Sequence, residues 1–311
     1  FRHEGYKILI TNRALFIILL FAALLAHESL QRTYTSSVEE QYYRDIMTEL
    51  EGELTEKKES LILSEKSRYE EALEKIEQID AMLSEGELST DAADDLKAQA
   101  EMTLAFYPAF QRVEEQYEHI KAYGGSFVYD TGYLYLFGIL EEPFAVDFLI
   151  LSIGIILAVS GAAAMEYQNG SIILLCATKV GKRKILARKI LICSIMAAIL
   201  TLVPFLCRVF RIVCEYPLHS LAADVRNIPR YTELAVSFPI IVFILLFVLA
   251  QIMSAILVAL ITIVLSLWRK NQVQTIFFAL LLLAVPLILN LLGFGAAKWF
   301  SLYPLYSGVM N

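Results

Sequence analysis

Apolar residues along this chain follow two different rhythms. Long aliphatic runs occur at about Ala14–His27, Phe144–Met165, Ile190–Cys207, Ile240–Leu267 and Thr275–Gly293. Roughly 20 apolar residues in a helix cross about 30 Å of hydrocarbon, so these runs predict transmembrane helices. Between the first and second runs the pattern changes. Met47, Leu50, Leu54, Leu61, Tyr69, Leu73, Ile76 and Leu83 recur at three- and four-residue spacing, which predicts one long amphipathic helix from Val38 to Leu83. A second stripe, Ala92, Leu96, Ala100, Phe106, Phe110, Val113, Tyr117 and Ile120, repeats that spacing. The intervening "SEGELSTDAADD" supplies Gly86 as a break and Ser89 or Thr90 as an N-cap, with acidic residues in the first turn. An antiparallel helical hairpin follows from these signals, with "AYGGSFVYDTGYLYLFG" as an irregular or short β-like aromatic segment at its base.

The fold class predicted is therefore an all-α polytopic membrane protein with five transmembrane helices and a helical hairpin insert. Its parts are an interfacial stretch 1–13, a first span 14–30, the insert 31–143, a second span 144–165, a basic loop 166–189, and the remaining spans 190–311 with a loop at 208–237. Both termini look trimmed, and a sixth helix is expected beyond Asn311.

Composition agrees with this class, since 57% hydrophobic residues exceeds the share in soluble domains. The net charge of -7 conceals a sharp division. From Gln31 to Pro143 there are 26 Asp and Glu against 10 Lys and Arg, a net of -16, whereas the remainder carries 7 acidic and 16 basic residues, a net of +9. Lys and Arg beside membrane helices mark the cytoplasmic side. Arg2, Lys7 and Arg13 precede the first span, Lys179 to Lys189 lie between the second and third, and Arg269 and Lys270 lie between the fourth and fifth. This alternation places the N-terminus inside and residues 31–143 and 208–237 outside, although Arg208, Arg211, Arg226 and Arg230 weaken it locally. Localisation in a cell membrane, with the N-terminus cytoplasmic, is expected.

Candidate chemistry is sparse. Cys176, Cys193, Cys207 and Cys214 and the four scattered histidines have no metal-type spacing, so no metal is expected. No Walker-type glycine-rich loop occurs, and "GKRK" at Gly181 lacks its upstream glycine and its Ser or Thr. Asp147, Glu28, Arg208 and Arg211 stand near the outer ends of spans, where interfacial pairing is the plainer reading and substrate contact the sharper one. Gln251 and Ser254, with Phe205 and Phe247, form a candidate substrate path. Helix–helix hydrogen bonding and lipid contact are the plain alternatives. The spans hold no buried carboxylate relay, which argues against an ion-driven transporter.

The segment "EYQNGSIILLCATKVGKRKILARK" resembles the loop after the second helix in membrane subunits of the type-2 ATP-binding cassette (ABC) exporter family. Glu166, Gly170, Ser171, Leu174, Leu175, Ala177, Thr178, Val180, Arg183, Ile185, Leu186 and Lys189 stand at matching positions, while Lys179 replaces a customary Pro. The interfacial "FRHEGYKILITNR", the large insert and "SLYPLYSG" extend the likeness over most of the chain. What the resemblance implies is a permease without its own ATPase site or bound cofactor, ATP and Mg being held by two copies of a partner ATPase subunit. It also implies a second permease, identical or homologous, and a coupling role for Glu166, Gly170, Ser171, Leu174, Leu175, Thr178, Arg183 and Lys189. Beside the bilayer no nucleic acid partner is expected. The favoured cargo is lipid-like or peptidic, such as an antimicrobial peptide. Glu166 has a plain alternative as an interfacial carboxylate paired with Lys182 or Arg183. Two rival classes remain at this stage: a membrane sensor whose acidic outer domain binds a cationic ligand, and a structural member of an envelope complex.

Overall fold

The computed structural model describes residues 2–32, 37–85, 89–140, 144–170, 181–294 and 301–307. In chain order its elements are α1 (Arg2–Tyr6), continued by a π-helical turn (Lys7–Thr11), α2 (Ala14–Gln31), α3 (Val38–Leu50), β1 (Gly52–Glu53), α4 (Glu56–Glu85), α5 (Thr90–Leu104), α6 (Tyr107–Tyr123), β2 (Ser126–Phe127) and α7 (Thr131–Leu136). There follow α8 (Phe144–Val159), α9 (Gly161–Gln168), α10 (Gly181–Glu215), two 3-10 turns (Val225–Asn227 and Pro229–Tyr231), α11 (Ile240–Arg269), α12 (Gln272–Leu291) and α13 (Tyr303–Ser307). They divide into one unit of Phe1–Thr33, Tyr133–Tyr216 and Ile244–Asn311, and another of Tyr34–Gly132 and Pro217–Phe243.

The first unit holds the apolar helices. Among the described residues five helical stretches are long and apolar enough to cross a membrane, Ala14–Gln31, Ala145–Gln168, Arg183–Glu215, Ile240–Arg269 and Gln272–Asn290. The second is the central one, 72% buried against 22% for the first and the fifth. On it α2, α10, α12 and α13 pack, while α2 also lies along α10. Close approach of α2 to α8 depends on Gly154, where an added Cβ would lie 2.8 Å from the Phe21 ring. Small residues permit such backbone approach between membrane helices. On its other side α2 leaves Phe16, Leu19, Leu20 and Leu24 exposed, as lipid-facing residues would be.

Two predicted spans are longer than expected. The second span runs on to Gln168 through a break at Ser160, and α10 begins at Gly181 and ends at Glu215. Arg183, Lys184, Arg188 and Lys189 therefore stand on the first turns of a helix rather than in a loop, consistent with the good helix propensity of Lys and Arg. The rest of the predicted coupling element, with Ser171, Leu174, Leu175 and Thr178, lies outside the described residues, as does most of "LLGFGAAKWF".

The second unit corrects the predicted hairpin. The stripe from Val38 to Leu83 is two antiparallel helices, because the chain reverses between Leu50 and Glu56. Gly52 takes φ +96, a left-handed conformation open to glycine, and β1 pairs antiparallel with β2, Gly52 opposite Phe127 and Glu53 opposite Ser126. Lys58 Nζ closes the turn by donating to the Glu51 and Glu53 carbonyls, each at 2.8 Å. The reversal brings Tyr42 of α3 against α4, where its hydroxyl donates to Glu65 at 3.2 Å and accepts from Tyr69 at 2.6 Å. The second stripe is also two helices. Pro108 in the first turn of α6 suits a helix start and not an interior, so α5 ends at Leu104 and α6 begins anew.

Helices α5 and α6 run back antiparallel along α4. Cross-pairs Lys97–Asp80, Lys66–Glu114 and Lys121–Glu59 descend in register along α4 against α5 and then α6. Residues Pro217–Phe243 join this unit. The segment is fastened by an Asp224–Pro239 bridge, and Asn227 approaches Gly125 so closely that a Cβ there would meet Asn227 Oδ1 at 2.5 Å. The insert and the second loop thus share one compact unit and lie on the same side of the membrane.

Candidate functional site

The break in the second span is filled by side chains from four other segments. Ser160 is followed by Gly161, Ala162, Ala163 and Ala164, all buried, and this run of small residues lets neighbours reach the backbone. The Ser266 hydroxyl of α11 inserts there, donating to the Ser160 carbonyl at 2.8 Å and accepting from the Ala164 N–H at 2.8 Å. A hydroxyl thus stands in the position of one helical hydrogen bond, a recognised cause of a helix break. The next carbonyl, of Gly161, accepts from Asn12 Nδ2 at 3.3 Å, and that of Ala162 accepts from Lys189 Nζ. Gln272 Nε2 of α12 donates to Ser160 Oγ at 3.3 Å.

One turn further on, Glu166 is buried between two ammonium groups. Lys7 Nζ lies 2.7 Å from Oε1 and Lys189 Nζ 2.6 Å from Oε2. These partners are one residue from the N-terminal stretch and one from two turns into α10, whereas the side chain of Lys182, named with Arg183 as an expected partner, lies outside the described residues. Arg183 itself is exposed. Gly170 is exposed with φ +68, a conformation that favours glycine, and Lys270 stands over the Tyr167 ring at 5.3 Å. Of the predicted coupling residues, Glu166 and Lys189 are brought together, while Gly170 and Arg183 flank them.

A matching ionic layer closes the opposite end of the same helices. Asp147, in the first turn of α8, accepts from Arg32 Nη2 at 2.7 Å through Oδ1 and from Arg208 Nη2 through Oδ2. All three side chains are at least nine-tenths buried. Arg211 pairs with Glu215 at 2.8 Å and donates to the Arg32 carbonyl at 3.4 Å, whereas Glu28 is exposed. Tyr306 of α13 packs against Arg208 and against the Phe148 ring at 5.3 Å. Asp147 and Glu166 are nineteen positions apart in sequence, and so are Lys189 and Arg208. At 1.5 Å per residue that spacing is about 28 Å, close to the thickness of a hydrocarbon core. The recurrence is a sequence signal for both layers that hydropathy alone does not reveal.

Three of the four candidate path residues share one helix. Phe247, Gln251 and Ser254 share a buried face of α11, with Phe247 edge-on to Phe137 at 5.4 Å and Ser254 Oγ donating to the Leu302 carbonyl at 3.1 Å. Gln251 Nε2 is buried with no hydrogen-bond partner among the described residues. Phe205 is buried on α10.

In the second unit the polar core is a network around Arg112. Its guanidinium donates to Asp130 at 2.7 Å, Thr131 at 2.9 Å and Glu40 at 3.1 Å, and lies 3.8 Å from the Tyr43 ring centroid. Tyr43 donates to Asp130 at 2.7 Å, and Gln116 bonds both Tyr43 and the Val128 backbone. Burial holds the Asp130 carboxyl above its ordinary range in spite of Arg112. The network ties α3, α6 and the segment after β2 together, and no sequence pattern announced it.

Fold and ionic layers together define a multi-pass, all-helical membrane protein with a separate helical unit built from two loops. No protein-family model, curated protein or solved structure matches the chain.

Proposed function

We propose that this chain is the membrane-spanning subunit of an ABC exporter, moving a lipid-like or peptide substrate outward across a bacterial cytoplasmic membrane with ATP hydrolysed by a separate subunit. The observation that supports the reading best is the junction at Glu166. An ATPase that drives a membrane protein needs an element whose displacement is felt by several spans at once. The segment that begins at Glu166 leaves from the end of the second span and returns as α10, and its two ends are joined by the Glu166–Lys189 pair. Lys7, Asn12, Ser266 and Gln272 attach the N-terminal stretch, α11 and α12 to the same few residues. Force applied to this segment would reach all of them. The chain itself carries out no bond chemistry in this reading, and Gln251, Ser254, Phe205 and Phe247 remain its candidate path residues.

The sensor reading draws on a different observation, the second unit with its acidic groove between α4 and α6, lined by Glu70, Glu114, Glu115 and Glu118. Gentle extraction of the full-length protein from its native membrane, followed by mass spectrometry of what stays bound, separates the two. An ATPase subunit in near-equal amount is expected. Its reproducible absence, with a signalling or envelope protein in its place, would overturn the exporter.

A further inference from the structure

Helices α3 and α4 both rest on α6 and approach each other less closely, so a groove of about 300 Å³ stays open between them. Its floor is apolar. Leu50 of α3, Ile62 of α4 and Phe110 of α6 are buried there, while Ile46 and Leu61 line the groove and stay partly exposed. Apolar surface of this kind gains free energy when it is removed from water.

The rim is acidic. Every charged residue lining the groove is a carboxylate, Asp45 and Glu49 from α3 and Glu65 from α4. Glu65 is already served, accepting from Tyr42 at 3.2 Å and pairing with Arg68 at 3.3 Å. Asp45 and Glu49 are exposed, and neither has an ion-pair partner among the described residues. Standing four positions apart on one helix, they share a face and repel each other. A cation placed over the groove relieves that repulsion.

Neighbouring grooves on α4 lack this combination. The one lined by Glu70, Glu114, Glu115 and Glu118 also holds Lys66, which pairs with Glu114 at 3.0 Å, and the one between α4 and α5 carries Arg68 and Lys75 beside Glu71. An anionic lipid headgroup is repelled by the carboxylates of the α3–α4 groove, and a neutral apolar molecule leaves them unused. The volume, at the low end for ligand pockets, suits a side chain or two.

From these observations we infer that the α3–α4 groove is a docking site for a basic peptide segment that carries an apolar side chain between Lys or Arg residues. The apolar side chain enters beside Ile46 and Leu61 and covers the floor, and the flanking cations reach Asp45 and Glu49. This site is separate from the groove behind the sensor reading, and it does not depend on the exporter reading, since all of its residues belong to the second unit.

The test uses the full-length protein in nanodiscs of phosphatidylcholine, with empty nanodiscs as the blank, and the fluorescein-labelled peptide Lys-Lys-Phe-Leu-Lys-Lys as the probe. Fluorescence anisotropy is expected to show saturable binding that weakens as salt is raised, because exposed charges are screened. The peptides Glu-Glu-Phe-Leu-Glu-Glu and Lys-Lys-Ser-Ser-Lys-Lys each lack one of the two features and should bind more weakly. Asp45→Asn with Glu49→Gln, both at exposed positions, should weaken binding of the probe about three- to tenfold, the scale of two exposed ion pairs. Ile46→Lys should abolish binding, and where that variant fails to fold the exposed pair decides. Glu115→Gln with Glu118→Gln, which removes as much charge from the neighbouring groove, should leave binding unchanged. An equal loss from that second pair, or equally tight binding of the serine peptide, would reduce the effect to general charge attraction and overturn the proposal. Absence of saturable binding would overturn it as well, as would dimerisation in detergent that Ile46→Lys abolishes, which would give the groove to a second copy.

Discussion

At the scale of single residues, the second unit depends on a few positions where space or charge leaves no slack. Gly125 takes φ +131, and a Cβ there would collide with Asn227 Oδ1 at 2.5 Å. Gly125→Ala should lower the stability of this unit by about 1–3 kcal/mol, the range for a strained backbone conformation, read as a fall in melting temperature. Two surface carboxylates have folded values below their ordinary range. For Glu59 the cause is hydrogen bonding from Tyr117 and Lys121. At Asp224 partial burial pushes upward, but hydrogen bonds from Arg226 and Ser237 outweigh it. Because the folded values are depressed, the stability they contribute is complete above the ordinary carboxylate range near 4 and is lost as pH falls through the folded values. Acid melts of the full-length protein should show this loss, and Asp224→Asn should make it shallower. An Asp224→Asn profile identical to wild type would show that the Arg226 pair contributes nothing to acid stability.

At the scale of elements, helix existence was legible and helix interruption was not. The stripes at three- and four-residue spacing correctly announced helices in the insert, but the spacing runs on through Gly52 and Pro108 as though they were absent. Gly52, with Thr55, Glu56 and Glu59 after it, was a readable stop and start, outweighed in the pattern by Leu50, Leu54 and Leu61. The break at Ser160 had no comparable signal. It exists because Ser266, more than a hundred residues away, offers a hydroxyl to the Ser160 carbonyl and the Ala164 N–H. Packing of α2 on α8 has a simpler origin in Gly154, whose missing side chain makes room for Phe21. Gly154→Leu should push the two helices apart and lower the melting temperature by several degrees. Combined with Phe21→Ala it should recover much of that loss, since the second substitution vacates the space the first one fills.

At the scale of the whole molecule, charge and hydropathy agree on the course of the chain. The basic stretches alternate with the apolar runs, and the first unit brings Lys7, Glu166, Lys189 and Lys270 to one end of its helices while Arg32, Asp147 and Arg208 stand at the other. Residues 34–132 and 217–243 belong to one unit, so they must face the same compartment. In a background with its cysteines replaced, a membrane-impermeant maleimide applied to intact cells should label Met102→Cys on exposed α5 and leave Val273→Cys, exposed at the start of α12, unlabelled until the cells are broken. The reverse pattern would invert the topology.

The sequence by itself marked the five helices that are long and apolar enough to cross a membrane, with the third extending well beyond its predicted bounds at both ends, and the segments that carry the acidic and basic excess. These are properties of local composition, since the cost of placing apolar surface in water or charge in hydrocarbon is met residue by residue. Only the tertiary structure decided that Glu166 pairs with Lys7 and Lys189, that Asp147 is divided between Arg32 and Arg208, and that Arg112 organises the second unit. Each of these joins side chains distant in the chain. A buried charge is stabilised by whichever opposite charge packing delivers, and packing depends on the shapes of whole helices, which no local pattern encodes.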